Sequence, residues 1–215
     1  MKQGIMPSLQ SLLGFFARIV GIAGIVGMMC GVTPAWAQDA IPTAPQEGSW
    51  NVGVRSGYSI DQRSINTVPV NLHLGYTFFK GKLWILPESA LEVAIEPFFS
   101  PVTQDSDIPG RKASIEAGLM LPVITHHFDL GSRLSPYIEG GLGVLYHDYQ
   151  GYNLGGGFNF TEMAGVGLTY FLENNLSINM GYRFRHSSNA SLYDENRGLN
   201  THSFLAGFSY FLPQN

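Results

Sequence analysis

Between residues 49 and 212, apolar side chains return again and again at every second position, and that period constrains this chain more than anything else in it. Val68, Val70, Leu72, Leu74, Tyr76 and Phe78 alternate with Pro69, Asn71, His73, Gly75 and Thr77. Ile138, Gly140, Leu142, Val144 and Tyr146 alternate with Tyr137, Glu139, Gly141, Gly143 and Leu145. Leu176, Ile178, Met180, Tyr182 and Phe184 alternate with Ser177, Asn179, Gly181, Arg183 and Arg185. A period of two sends successive side chains to opposite faces of a strand, whereas a helix would scatter them around its axis. Eight such segments are predicted, near 49–60, 68–79, 88–99, 112–124, 135–148, 157–172, 175–187 and 199–212.

What each strand face meets follows from the charge content. Charged residues make up 13% of the chain, against about 25% in soluble domains. A soluble secreted barrel of the lipocalin type points its apolar side chains inward and needs a charged outer face. Here the second face is mostly Gly, Ser, Asn and Thr, too poor in charge to coat eight strands. Turned outward, the apolar face suits lipid. After residue 37 no segment approaches the roughly 18 apolar residues of a spanning helix, which leaves a closed barrel as the membrane architecture. The expectation is an all-β fold: an eight-stranded antiparallel transmembrane β-barrel of the bacterial outer membrane.

An even strand number puts both termini on the periplasmic side, with short turns there and longer loops outside. Connections near 80–83, 127–134 and 172–175 are short and carry Gly81, Gly131 and Asn174-Asn175. Those near 61–67, 100–111, 149–156 and 188–198 are mostly longer and polar. The seventh segment therefore rises outward and ends at the outer rim.

Residues 1–37 read as a secretory signal peptide that is removed. Lys2 and Arg18 precede an apolar run at 19–32, and Ala35-Trp36-Ala37 supplies a small-x-small cleavage pattern. Pro34 and the shortness of the run argue against a membrane anchor. Cys30 is the one cysteine; Met28-Met29 before it is a poor lipoprotein lead-in, and it leaves with the signal. The mature chain then has no disulfide, thiolate metal site or cysteine nucleophile. Residues 38–47 read as an irregular periplasmic lead-in, and 48–215 as the barrel. The formal net charge of −4 offers no electrostatic case for nucleic acid.

The inward parity carries Arg55, His73, Glu92, Glu96, Glu116, Glu139, Arg183 and Arg185. An eight-stranded barrel is just wide enough for its interior side chains to fill it. These groups are expected to form a hydrated, charge-paired plug and no channel. Glu92, Glu96 and Glu116 could suggest paired acids or a metal site, but their place among arginines points to interior salt bridges. His126-His127 is assigned to a turn, with no defined third metal ligand.

One place could do chemistry. His186 and Ser188 share the apolar-side register of the seventh segment, and Asn200 and His202 extend the matching register of the eighth. Antiparallel neighbours joined by one outer loop bring His186, Ser188 and Asn200 together on the outer wall. A serine hydroxyl becomes a useful nucleophile when a histidine accepts its proton. The histidine in turn needs a third group to fix its tautomer and orientation. Asn189 or Asn196, with a main-chain N–H near Ala190-Ser191, could support an oxyanion. Ser187 is the weaker nucleophile, since its side chain should point inward. Taken alone, His-x-Ser could equally be a polar collar at the rim.

The stretch 158–211 resembles the C-terminal part of the PagL family of outer-membrane lipid A 3-O-deacylases, or acyloxyacyl hydrolases. The similarity lies in Gly181-Tyr182-Arg183-Phe184, His186-Ser187-Ser188-Asn189-Ala190-Ser191-Leu192-Tyr193 and Asn196-x-Gly198-Leu199-Asn200, followed by a final aromatic strand. The resemblance implies an eight-stranded barrel with a histidine–serine–acid triad on its lipid-facing wall, with no cofactor. The base falls on His186, the nucleophile on Ser188 and the oxyanion asparagine on Asn196, supported by Asn189. The acidic position falls on Asn200, a departure. Three outcomes follow: an amide serves as third member, Asp194 or Glu195 moves in, or activity is weak or absent. The implied substrate is lipid A of lipopolysaccharide, met among outer-membrane lipids, with release of a 3-hydroxy fatty acid. A homodimer is left open. A non-catalytic barrel for adhesion or membrane integrity, and a lipid A acyltransferase barrel, are the competing readings.

Overall fold

In a computed structural model, residues 41–61, 65–83, 85–105, 114–148 and 157–213 are described, 103–105 for their backbone alone. The predicted signal segment, residues 1–37, lies outside them. The strands are β1 (Trp50–Asp61), β2 (Ile65–Thr67), β3 (Val70–Lys82), β4 (Glu88–Asp105), β5 (Ile115–Phe128), β6 (Leu134–His147), β7 (Phe158–Phe171), β8 (Leu176–Ser188) and β9 (Leu199–Phe211). Both β2 and β3 lie between β1 and β4, so they form one stave broken at Val68-Pro69. Proline has no N–H for the ladder, which accounts for the break. Each remaining strand pairs antiparallel with the next, and β1 pairs with β9 to close an eight-stave barrel. Closure leaves no unpaired strand edge for lipid to meet.

The two faces are inverted relative to a soluble barrel. Leu72, Leu74 and Phe78 on β3, Ile138, Leu142 and Tyr146 on β6, and Phe204 and Phe208 on β9 are all exposed. Between them Asn71, His73, Thr77, Glu139, Ser203 and Ser209 are buried. Val70, at the start of β3, departs from its apolar set and is buried. Water would make so continuous an apolar outer wall costly, whereas acyl chains leave it solvated.

Salt bridges fill the lumen. Arg55 bonds Glu96 and, at 3.0 Å, Glu139; Arg183 reaches Glu96 at 2.8 Å and Glu139 at 2.9 Å. His73 spans two carboxylates, Nδ1 to Glu96 at 2.7 Å and Nε2 to Glu92 at 2.8 Å. Gly75 makes room for this knot: a Cβ there would lie 2.7 Å from Asn51 Nδ2, Glu92 Cδ and His73 Nε2. Above it Ala94, Phe98, Met120, Val123, Leu145 and Met163 form an apolar cluster, capped by Arg185 on Glu116 at 2.7 Å. The inward acids are thus partners of arginine and histidine, as their parity suggests.

One assignment is corrected. His126 and His127 belong to β5, which runs on to Phe128, and not to a turn. Pro122 sits within a register shift between Met120 and Val123 against β6, and a bulge at that point absorbs the missing N–H without ending the strand. His127 turns inward and packs on Tyr137, ring centroids 5.6 Å apart, while His126 stacks on Phe128 at 4.4 Å. Among the described residues no three His, Cys, Asp or Glu side chains are grouped to hold a metal.

Residues 41–49 form no strand, and they dock on the end of the barrel that carries the short turns. Gly48 N donates to Thr77 O at 2.8 Å, and Thr43 Oγ1 to Asp129 Oδ2 at 2.8 Å.

Candidate active site on the outer wall

Strands β7, β8 and β9 run side by side at the end opposite those short turns. Register alone places three polar side chains in a row across them. Glu162 on β7 stands opposite His186 on β8, and His186 opposite Asn200 on β9. Ser188 lies two residues beyond His186, on the same face, and opposite Phe160. Phe160 is exposed, so this is the wall and not the lumen. Ser187, of the other parity, is buried and donates to Thr161 Oγ1 at 3.1 Å. Thr161 Oγ1 in turn donates to His186 O at 3.0 Å. The backbone beneath the histidine is therefore fastened from inside the barrel.

His186 Nδ1 lies 2.6 Å from Asn200 Oδ1. An amide oxygen only accepts, so Nδ1 carries a proton, and in the neutral ring it is then Nε2 that has the lone pair. That is the tautomer a general base needs. Behind the ring is Gly198, whose φ is +65°; a Cβ there would lie 2.6 Å from His186 Cε1. Only glycine takes up that backbone conformation without strain while letting the imidazole lie so close.

The segment 189–198 is held by asparagines. Asn189 is fully buried: its Oδ1 accepts from Ser191 N at 2.9 Å, and its Nδ2 donates to Glu195 O at 2.7 Å. Its main-chain N–H donates to Asn196 Oδ1 at 3.0 Å. Asn189 thus supports the loop and does not face the outer wall, while Asn196 is exposed beside the end of β8. Ala190 and Ser191 both have positive φ, 50° and 65°. Ser191 N–H is taken by Asn189, which leaves the Ala190 N–H as the main-chain donor of that pair. Asp194 and Glu195 are exposed, and neither carboxylate is bonded to His186.

Two members of this neighbourhood escaped sequence reasoning. Gly198 was visible only as a letter in a motif. Glu162 had a plainer signal: it shares the outward parity of Phe158, Phe160, Val166 and Leu168, and a carboxylate on a lipid-facing parity is costly. Lower on the same wall, Tyr182 OH and His202 Nδ1 are 2.6 Å apart.

The family model of the lipid A 3-O-deacylases (PagL) matches residues 68–209. The chain belongs to the PagL family. The activity of this PagL family member is hydrolysis of an acyl ester of lipid A, and it is integral to the outer membrane. A search of curated protein sequences finds no match. Among solved structures, the outer membrane enzyme PagL aligns with a TM-score of 0.52 at 22% identity, over 73% of this chain and 97% of that one. Neisserial surface protein A (NspA) aligns with a TM-score of 0.53 at 13% identity, over 75% of this chain and 95% of that one. The likeness to both is one of fold.

Proposed function

We propose that this PagL family member removes the 3-position acyl chain of lipid A as a serine esterase, with Ser188 as nucleophile, His186 as base and Asn200 as the group that orients it. The observation that carries the reading is the 2.6 Å contact between His186 Nδ1 and Asn200 Oδ1, which leaves Nε2 free to take a proton. In the first step His186 Nε2 accepts the Ser188 proton while Oγ attacks the ester carbonyl, and the carbonyl π electrons move to its oxygen. Asn196 Nδ2 and the Ala190 N–H are the donors for that oxyanion. On collapse, the C–O bond to the sugar breaks and the imidazolium returns the proton to the departing 3-hydroxyl. Water, deprotonated by the same imidazole, then cleaves the acyl-enzyme and frees a 3-hydroxy fatty acid.

Nucleophile, base and orienting amide all come from one chain, so this chemistry requires no dimer. We also propose that residues 1–37 are removed on export, which an intact mass beginning at Gln38 would establish. The chemistry is tested with the folded protein in detergent and lipid A as substrate. Mass spectrometry should show loss of one ester-linked chain with the free fatty acid as product, and Ser188→Ala should remove it. Loss that persists in Ser188→Ala would refute the nucleophile, and a heavier lipid A would point to acyl transfer.

A further inference from the structure

The row of side chains across β7, β8 and β9 contains one group the chemistry above does not use. We propose that Glu162 supplies to His186 the negative charge that Asn200 cannot, acting as a positioning and charge-balancing residue through the imidazole. This rests on the esterase reading and adds a fourth member to it.

Register is the first ground. Glu162 and His186 are direct partners on adjacent strands and share the outward parity. Directly opposed residues of an antiparallel pair have Cβ atoms about 4.5–5.5 Å apart, within reach of a carboxylate and an imidazole. His186 is therefore flanked on both sides, by a neutral amide from β9 and by a carboxylate from β7.

The second ground is the setting of Glu162 itself. It is exposed on the outer wall, opposite from the lumen where every other strand carboxylate on β4, β5 and β6 described above finds an arginine or histidine. Its outward neighbours on β7 include the exposed aromatics Phe158 and Phe160. An acid on such a face lowers the stability of a membrane barrel unless something offsets it. The imidazolium that forms at His186 during turnover is a cation at the right place.

The third ground is division of labour. Asn200 holds Nδ1, which sets the tautomer, but an amide has no charge with which to stabilise imidazolium. Glu162 stands on the strand at the other side of His186; it does not compete for Nδ1, and its charge acts through space. Among the described residues, the other charged side chains on β1, β8, β9 and the 189–198 segment near this row are Asp194, Glu195 and Arg197, Arg185, which turns inward to Glu116, and Asp61, buried on β1 opposite Thr201 and accepting from Ile65 N. None of these is a register partner of His186.

Because the imidazole is neutral before attack and charged after it, the effect falls on kcat and leaves KM in place. The test uses the full-length protein folded in detergent, with initial rates of fatty acid release from lipid A and retention of the compact form on unheated gels as the folding control. Glu162→Gln should lower kcat by about tenfold or more at unchanged KM. Glu162→Asp should keep part of the rate. Asn200→Glu placed in the Glu162→Gln background should restore it, since the charge then arrives from β9. An undiminished kcat in Glu162→Gln, or a change confined to KM, overturns the proposal. So does a wild type that is inactive until Asn200→Glu is introduced, because Glu162 would then not be providing the charge. Absence of turnover in both the wild type and Asn200→Glu would instead strike the esterase reading beneath it.

Discussion

Replacing Asn200 with leucine isolates the hydrogen bond on which the catalytic reading turns. The two side chains have the same branched heavy-atom skeleton, and Asn200 sits half-buried at the rim of the wall, so the exchange removes an acceptor without emptying a core. Before attack, the 2.6 Å contact to Nδ1–H is a bond between neutral groups, worth about 1 kcal/mol net. In the transition state the donor is an imidazolium and the same bond is worth about 1.5–3 kcal/mol. The variant forfeits that strengthening and also releases the tautomer, since nothing then holds the proton on Nδ1. Together these give a loss of about 1–3 kcal/mol, or about 5- to 150-fold in kcat/KM. Initial rates of 3-hydroxy fatty acid release from lipid A, followed by mass spectrometry against wild type in the same detergent, measure it. A leucine variant within twofold of wild type would refute the reasoning: His186 would then be oriented by something else or not be the base.

Two further outcomes probe the site and the membrane face. Gly198→Ala introduces a side chain at φ +65° whose Cβ would lie 2.6 Å from His186 Cε1; the left-handed backbone costs about 1–2 kcal/mol, and the displaced ring should lower kcat more than tenfold, by order of magnitude, in a barrel that still migrates as folded. Met180→Arg tests which face meets lipid, because Met180 is 60% exposed on β8 between the apolar partners Leu168 and Ala206; urea titration of folding into vesicles should show a loss of about 2–4 kcal/mol, whereas a soluble barrel would tolerate an arginine there.

Much of the fold was legible because its period is two and its two faces differ chemically. Leu72 against His73, or Ile138 against Glu139, announces an alternation that survives errors of a few residues at strand ends. Those ends were less legible for identifiable reasons. The segment expected at 112–124 runs on as β5 to Phe128, with Pro122 sheltered in a bulge that only pairing with β6 reveals. Pro69 does interrupt its stave, and nothing local distinguishes the two prolines. At the candidate site, parity along β8 and β9 was enough to place His186 beside Asn200. Glu162 is joined to β8 by the turn at the far end, so its meeting with His186 depends on an unbroken register over the whole β7–β8 pair. Asn189 illustrates a different gap: a side chain facing its own loop, at 0% exposure, carries no periodic signal.

The inverted barrel also explains why chemistry can reside on its outside. A reactive pair on a soluble barrel's surface would face water and have no lipid to grip; here the outer wall is the substrate's own solvent. What the wall lacks is depth, because a convex surface cannot surround its catalytic groups. The architecture offsets this by fixing them from behind. Thr161 Oγ1 donates to the main chain at His186 from the inner side, and Ser187 donates to Thr161. Below that, the Arg55–Glu96–Arg183–Glu139 knot ties β1, β4, β6 and β8 across the lumen. A buried charge network of this kind adds little stability against a well-packed apolar core. It does bind distant staves in one register, and register is what aligns Glu162, His186 and Asn200. The lumen and the outer rim are in that sense one device, with the salt bridges holding the ladder on which the site is written.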